Sequence, residues 1–274
     1  MRGFFRRDGR ALGLDMPAHR RAHAEVSRDA SQRTVARARD LCDKPIGVVD
    51  AREDRRAETA ARIKAIARRL MAEHGAAALS LGSIAREMGV STPALYRYFQ
   101  NRDALVTALV VESYVDLGDQ TERAVEGLDR ADLGARFRAV ARAYRAWALA
   151  HPQDYVLIHG AVLPGYRAPL AEIATAAVKI LRIFVGILAD AEEAGRLHVP
   201  TSFEGAPTGV GKALQPLTGA AVPPRLATLA YLVWTQLHAL VWQELDGHLP
   251  RELLADGVLY ERLVASIAEQ LGLE

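Results

Sequence analysis

The 274 residues contain one cysteine, Cys42, and no long apolar run. A single cysteine excludes an internal disulfide, and Cys42 has no companions at the spacing of a zinc site, which is typical of a reducing compartment. No segment approaches the roughly 18 consecutive apolar residues of a membrane span, and the N-terminal residues lack the apolar core of a signal peptide. We therefore expect a cytoplasmic protein with no membrane partner, no metal and no other cofactor.

The sequence also lacks the motifs of common enzymes, including HExxH, the nucleophile elbow, the phosphate-binding loop and the dinucleotide-binding glycine pattern. We predict no catalytic residues. An enzymatic alternative rests on histidines with nearby acids. His238 lies in an apolar helical segment, where a hydrogen-bonded core histidine is the simpler interpretation, but His159 and His238 stay candidates to meet as metal or effector ligands. The histidines in question are His151, His159, His198, His238 and His248.

Charge is unevenly distributed along the chain. Lysine and arginine exceed aspartate and glutamate over residues 1–105, whereas acids predominate over residues 106–274, and the total is +2. A basic N-terminal part joined to an acidic remainder is typical of a polyanion-binding module attached to a second domain, although it is also found on ordinary solvated surfaces. Residues 1–53 have few large apolar side chains, and we expect a disordered basic arm there. A later start, for example at Met16, is an open alternative.

From about residue 55 onward, apolar residues recur at a helical period and no alternation typical of strands competes with it. The prediction is an all-α fold, with an N-terminal three-helix bundle in residues 54–101 and a C-terminal helical domain in residues 102–274. In the N-terminal part, helices are predicted from about Arg55 to His74 and from Leu81 to Met88, and a short third helix begins at Ser91 or Thr92. A fourth helix begins after Asn101 and runs towards Gly118. Further helices are predicted over about 130–150, 167–194, 224–246 and 256–271, with a long loop at 195–224.

The most specific signal is the run IAREMGVSTPALYRYF at residues 84–99. Gly89 permits a turn between two helices, and we expect Val90 and Leu95 to fill the space between them. This pattern predicts a helix-turn-helix whose second helix enters the DNA major groove. The predicted DNA-contacting residues are Ser80, Ser91, Thr92, Pro93, Ala94, Tyr96, Arg97, Tyr98 and Arg102.

Each of these residue types has a reason to contact DNA. Short side chains at the start of this second helix, the recognition helix, can contact thymine methyl groups, and Arg97 can reach guanine or phosphate. The hydroxyls of Tyr96 and Tyr98 can donate to phosphate oxygens, while Ser80 and Arg102 flank the helix and can clamp the DNA backbone.

Residues 55–105 resemble the DNA-binding domain of the TetR family of bacterial transcriptional regulators. The resemblance lies in IAREMGVS, in LYRYF and in the N-R-D-A-L that begins the next helix, where Arg102 replaces the family's more common lysine. Further along, Trp234 and His238 resemble the WHG class of TetR C-terminal domains, with Ala239 in the place of the glycine. The resemblance implies a ligand-responsive regulator, commonly a repressor, that binds a palindromic operator in double-stranded DNA as a homodimer.

The resemblance further implies a pocket for a small-molecule effector in the C-terminal domain and a four-helix dimer interface made by the last two long helices. For both sets of residues, intramolecular core is the open alternative. A DNA-coating architectural protein is another, although the acidic, tryptophan-containing domain argues against it. The predicted pocket residues are Phe137, Tyr144, Trp147, Tyr155, His159 and Phe184, and the predicted interface residues are Leu229, Val233, Leu237, Leu240, Leu263 and Ile267.

Overall fold

The computed structural model describes residues 51–75, 79–160, 165–199, 209, 222–247, 250–254 and 257–274. Most of the predicted basic arm, residues 1–50, lies outside this range. Residues 51–53 do not belong to such an arm, because they are already part of the first helix. Most of the loop predicted at residues 195–224 also lies outside the described residues.

The described part of the chain is helical and contains no strand, so the all-α prediction is confirmed. None of the described helices combines the length and apolar composition that a membrane span needs. The eleven helices found there are α1 (Ala51–His74), α2 (Leu81–Met88), α3 (Thr92–Leu95), α4 (Arg102–Arg123), α5 (Leu133–Ala150), α6 (Pro152–His159), α7 (Leu170–Ala177), α8 (Lys179–Glu193), α9 (Pro224–Leu245), α10 (Arg251–Leu254) and α11 (Val258–Gln270).

Several details differ from the sequence prediction, including the presence of the short helix α10. The short helix α6 was not predicted, because it follows α5 after a single residue and its apolar residues show no clear stripe. The predicted helix over 167–194 is two helices that meet at Val178, which serves as the C-terminal cap of α7 and the N-terminal cap of α8.

Residues 56–274 form one compact unit with two apolar cores. The first core joins α1, α2 and α3 to the N-terminal half of α4, with Ile63, Ile84, Leu95 and Leu109 at 0–1% exposure. The second core lies among α5, α8, α9 and α11 and includes Phe137. Helix α4 contributes to both cores. The domain boundary predicted at residues 101–102 assigns α4 to the C-terminal domain alone, although its first half also packs in the core of the N-terminal helices α1, α2 and α3.

Candidate nucleic-acid interface and ligand cavity

Helix α2 is fixed at both ends by local hydrogen bonds. Ser80 caps its N-terminus, since its Oγ accepts a hydrogen bond from the Ser83 N–H at 3.0 Å, and the Ser80 N–H donates to Ser83 Oγ at 3.3 Å. At the other end, Gly89 adopts a left-handed conformation with a φ of 69°. A side chain is strained at this φ, and glycine therefore permits the tight turn into α3.

The turn that follows helix α3 exposes polar side chains because Leu95, the last residue of α3, is anchored in the core. Leu95 is 1% exposed, whereas the adjacent Tyr96 is 53% exposed. The helical turn continues past α3, since the N–H groups of Tyr98 and Phe99 donate to the Leu95 carbonyl at 2.9 and 3.0 Å. The result is a protruding turn of helix supported by a single buried leucine.

All nine residues predicted to contact DNA are at least partly exposed. Tyr98 and Arg102 are half-buried, and the Tyr98 ring packs against the first core. Ser80 already serves as the cap of α2. The prediction for Val90 is wrong, because this residue is 42% exposed and does not fill the space between the helices, whereas the prediction for Leu95 is confirmed.

Helix α4 connects the helix-turn-helix with the C-terminal bundle. It begins after Asn101, whose Oδ1 accepts a hydrogen bond from the Ala104 N–H at 2.7 Å. Its first half is buried in the first core through residues such as Leu105 and Leu109, and its second half reaches the other core through Leu117. One continuous helix of 22 residues therefore spans both parts.

A cluster of charged groups ties α1 to α4 and α6. Arg68 Nε lies 2.9 Å from Asp154 Oδ1, and Arg68 Nη2 lies 3.1 Å from Glu112 Oε2. Lys64 Nζ donates to Glu112 Oε1 at 2.8 Å, and Ser113 Oγ lies 3.0 Å from Asp154 Oδ1. Burial alone would lower the pKa of Arg68, but the hydrogen bonds and charges of the two carboxylates outweigh it and raise that pKa.

A cavity of about 210 Å³ lies beside the second half of α4, between α6, α9 and the junction of α7 with α8. It combines aromatic and aliphatic walls, a composition typical of small-molecule sites. Its lining residues are Tyr114, Leu117, His159, Ala177, Val178, Ile180, Leu181, Tyr231 and Trp234.

Of the six residues predicted to form an effector pocket, His159 lines this cavity and the other five do not. Those five, Phe137, Tyr144, Trp147, Tyr155 and Phe184, are 0–4% exposed. Each has an intramolecular contact, such as the tilted ring contact of Phe137 with Phe184, whose centroids are 5.8 Å apart, or the hydrogen bond from Trp147 Nε1 to Asp116 at 2.7 Å. The sequence prediction missed the other aromatic lining residues, Tyr114, Tyr231 and Trp234, although the spacing of Tyr231, Trp234 and His238 on one helix face was a usable signal.

Behind the cavity lies a hydrogen-bonded cluster of two tyrosines and two histidines. Tyr155 Oη lies 2.7 Å from His238 Nδ1, and Tyr144 Oη lies 3.2 Å from His238 Nδ1 and 3.4 Å from His159 Nε2. Burial and then the nearby His238 lower the pKa of His159 from 6.5 to about 3, and burial also lowers the pKa of His238. Both imidazoles are therefore uncharged at neutral pH.

The two histidines meet as the sequence suggested, with ring centroids 4.7 Å apart. Within the described ranges, no group of three or more histidine, cysteine, aspartate or glutamate side chains is arranged to hold a metal ion. His248, one of the histidines considered for an enzymatic role, lies outside the described residues. Tyrosine hydroxyls are the hydrogen-bond partners of both imidazoles, which is the arrangement of core histidines.

The predicted dimer residues require a correction. Leu229, Val233, Leu237 and Ile267 are 0–4% exposed within a single chain, because they pack in the second core. Buried side chains cannot contact a second subunit. Leu240 and Leu263 are half-buried. The exposed apolar residues of α9 and α11 are instead Tyr231, Leu232, Val258 and Leu259, with exposures of 37–56%.

Comparison with known proteins identifies the family. The family described as "Bacterial regulatory proteins, tetR family" matches residues 63–109, and "Tetracyclin repressor-like, C-terminal domain" matches residues 137–267. The HTH-type transcriptional regulator Rv1816 of Mycobacterium tuberculosis is 32% identical over 227 residues, which cover 81% of this chain and 97% of that protein. The chain belongs to the TetR family. It is therefore a DNA-binding transcriptional regulator, and the family match at residues 63–109 contains the whole helix-turn-helix predicted at residues 84–99.

Solved structures agree with this assignment. The regulatory protein SCO4313 is 31% identical, with a TM-score of 0.64, and the alignment covers 79% of this TetR-family chain and 98% of that one. A tetR-family regulatory protein from Rhodococcus RHA1 is 18% identical, with a TM-score of 0.56, and covers 78% of this chain and 96% of its own. The second likeness supports the fold alone.

Proposed function

We propose that this TetR-family regulator is a cytoplasmic homodimeric repressor that binds a palindromic operator, and that a small molecule in the cavity changes its affinity for DNA. The observation that carries the proposal is the position of α4. Its first half belongs to the same apolar core as Leu95 of α3, and its second half contributes Tyr114 and Leu117 to the cavity wall. A ligand that displaces α4 therefore acts on the element that supports the DNA-reading turn.

The DNA contact itself is assigned to α3 and its flanks. The turn that follows α3 carries Arg97, which is exposed and can form a bidentate contact with guanine or pair with a phosphate. Arg56 Nη2 of α1 donates to the Arg97 carbonyl at 3.3 Å, and this hydrogen bond holds the backbone of the turn after α3 against α1. The exposed Tyr96 hydroxyl is available for a phosphate oxygen.

Two copies of the chain are needed because one recognition helix reads too few bases for useful specificity. Two helices about one DNA turn apart, roughly 34–36 Å, read a palindrome. The proposed contact between copies is made by the exposed aliphatic residues of α9 and α11, which are Leu232, Val258 and Leu259. Leu232 is 41% exposed. This assignment replaces the buried residues selected from the sequence.

Measurement of DNA affinity with an arginine variant tests the proposed interface. Arg97→Ala is expected to weaken operator binding by about 1–3 kcal/mol, or roughly 5- to 150-fold, by loss of a base or phosphate contact. The matched control is Arg182→Ala, which removes an exposed arginine from α8, away from α2 and α3. Fluorescence anisotropy at constant salt gives both values. Equal affinities for the two variants would place the DNA contact elsewhere.

The dimer is tested separately by sedimentation of a charge-insertion variant. Leu232→Arg places a charge in the proposed interface and is expected to yield monomers. Leu149→Arg is the control, since Leu149 of α5 has a similar exposure of 38%. Dimers that persist in Leu232→Arg at micromolar concentration would show that α9 does not form the contact.

A further inference from the structure

Among the residues that the structure describes, nine line the ligand cavity, and none of these has a charged side chain, since they are aromatic, aliphatic or imidazole groups. His159 adds no charge, because burial keeps its imidazole neutral at physiological pH. An ionised ligand in this site would lose hydration without gaining a counter-charge, which is strongly unfavourable. The lining therefore favours an uncharged ligand.

The arrangement of the rings also disfavours a quaternary ammonium ligand. Such cations are held in cages of aromatic rings that surround an open centre. Here the rings contact one another in sequence, with centroid distances of 5.9 Å from Tyr114 to His159, 5.7 Å from His159 to Trp234 and 5.5 Å from Trp234 to Tyr231. They form one continuous aromatic wall, and the other lining residues are aliphatic. Successive rings are inclined to one another by 84°, 54° and 43°, so this wall offers both ring faces and ring edges to an apolar molecule.

The cavity volume indicates the size of the part of the ligand that the cavity can hold. An apolar cavity of about 150 Å³ accommodates benzene, and this one has about 210 Å³. A molecule with one ring or two fused rings fits this space.

The polar groups of the lining lie on Tyr114, His159, Tyr231 and Trp234. The Tyr114 hydroxyl already donates to the Ile158 carbonyl at 3.0 Å, Trp234 is hydrogen-bonded to Tyr144, and Tyr231 is 48% exposed to water, so we assign the orienting role to the more deeply buried His159. Its Nε2 lies 3.4 Å from Tyr144 Oη, and within the described ranges no hydrogen bond is formed by its Nδ1. A neutral imidazole offers one donor and one acceptor. A single hydroxyl, N–H or carbonyl on the ligand can therefore be matched by this ring.

We propose that the cavity binds an uncharged, mainly apolar molecule of one or two rings that carries one hydrogen-bonding group directed at His159. The inference rests on the proposed ligand-responsive function and specifies the chemical class of its effector. It also predicts that His159 is the residue that makes a ligand with one polar group bind more tightly than its purely hydrocarbon analogue.

The test compares four probes on the full-length protein by calorimetry and thermal shift. The probes are 2-naphthol, naphthalene, 2-naphthoate and phenyltrimethylammonium. We expect 2-naphthol to bind about fivefold more tightly than naphthalene, the gain from one neutral hydrogen bond, and the two charged probes to bind at least tenfold more weakly than 2-naphthol. Equal or tighter binding of either charged probe, or no binding of 2-naphthol, would overturn the proposal.

A variant tests the role of His159. His159→Phe keeps an aromatic ring but removes both ring nitrogens, so naphthalene is expected to bind as before while the preference for 2-naphthol disappears. Retained naphthalene binding shows that the variant is folded. The control His74→Phe changes an exposed histidine of α1 and should keep the preference. A preference that persists in His159→Phe would exclude His159 as the orienting group.

DNA binding separates failure of this inference from failure of the proposed function. If the protein binds its operator but 2-naphthol does not bind the protein, the ligand class is wrong and the DNA-binding function stands. If 2-naphthol binds in the expected pattern without changing operator affinity, the ligand class stands and ligand control of DNA binding is wrong.

Discussion

The charged cluster between α1, α4 and α6 yields a quantitative prediction for Asp154→Asn. Asp154 is 9% exposed and accepts hydrogen bonds from Arg68 Nε at 2.9 and 3.2 Å. Asparagine preserves the shape of the side chain but removes the negative charge, and Arg68 then retains only Glu112 as an anionic partner among the described residues. The guanidinium group is left with part of its charge uncompensated in a half-buried site.

The expected loss follows from the strength of charge-assisted hydrogen bonds, about 1.5–3 kcal/mol each. Breaking a fully buried ion pair costs about 3–5 kcal/mol, but the Arg68 side chain is 29% exposed and water replaces part of the interaction. We therefore expect a loss of about 2 kcal/mol in the free energy of unfolding. At about 2–4 °C per kcal/mol for a protein of this size, the melting temperature should fall by about 4–8 °C.

The assay is urea denaturation followed by circular dichroism at pH 7, with Glu261→Gln as the matched control. Glu261 pairs with Arg142 at 2.8 Å, but the two side chains are 43% and 58% exposed. Exposed pairs contribute about 0–1 kcal/mol. If Asp154→Asn lost no more stability than Glu261→Gln, the cluster would not be a significant link between α1 and α6.

Three further changes have defined expected outcomes. Burial lowers the pKa of His159 to about 3 in the folded protein, against about 6.5 in the unfolded chain. The free energy of unfolding is therefore unaffected by this group above pH 6.5 and decreases by up to about 1.4 kcal/mol per pH unit between pH 6.5 and pH 3. Urea denaturation at pH 7 and at pH 5 measures the difference. Asn101→Ala removes the cap of α4 and should cost about 1 kcal/mol by thermal denaturation, while Asn101→Asp should not. Leu95→Ala leaves a void beneath the recognition turn and should cost about 2–5 kcal/mol by urea denaturation. A flat pH profile or unchanged stability would contradict the corresponding assignment.

The helix-turn-helix was predictable because its signals are local. A serine cap, a glycine with positive φ and a proline in the first turn mark helix ends through interactions within a few residues. The exposure of Val90 was not predictable in this way, because it depends on how the turn after Gly89 directs the chain.

The C-terminal domain was predictable as helices but not as a site. In α9, apolar residues occupy both the buried stripe through Val233 and the exposed stripe through Leu232, and the sequence pattern cannot state which stripe faces the core. The large aromatic residues near 137–155 fill that core, whereas the cavity forms where four separate segments meet. Such a meeting of distant segments has no local sequence signal.

The central claim, that two copies read a defined operator through α2 and α3, is tested most directly by footprinting. The purified protein is incubated with DNA from around its own gene at two salt concentrations. The account predicts protection of a short palindrome with half-sites one helical turn apart, and protection should weaken as salt rises because phosphate contacts release counterions. Uniform coverage of the DNA without a protected palindrome would contradict it.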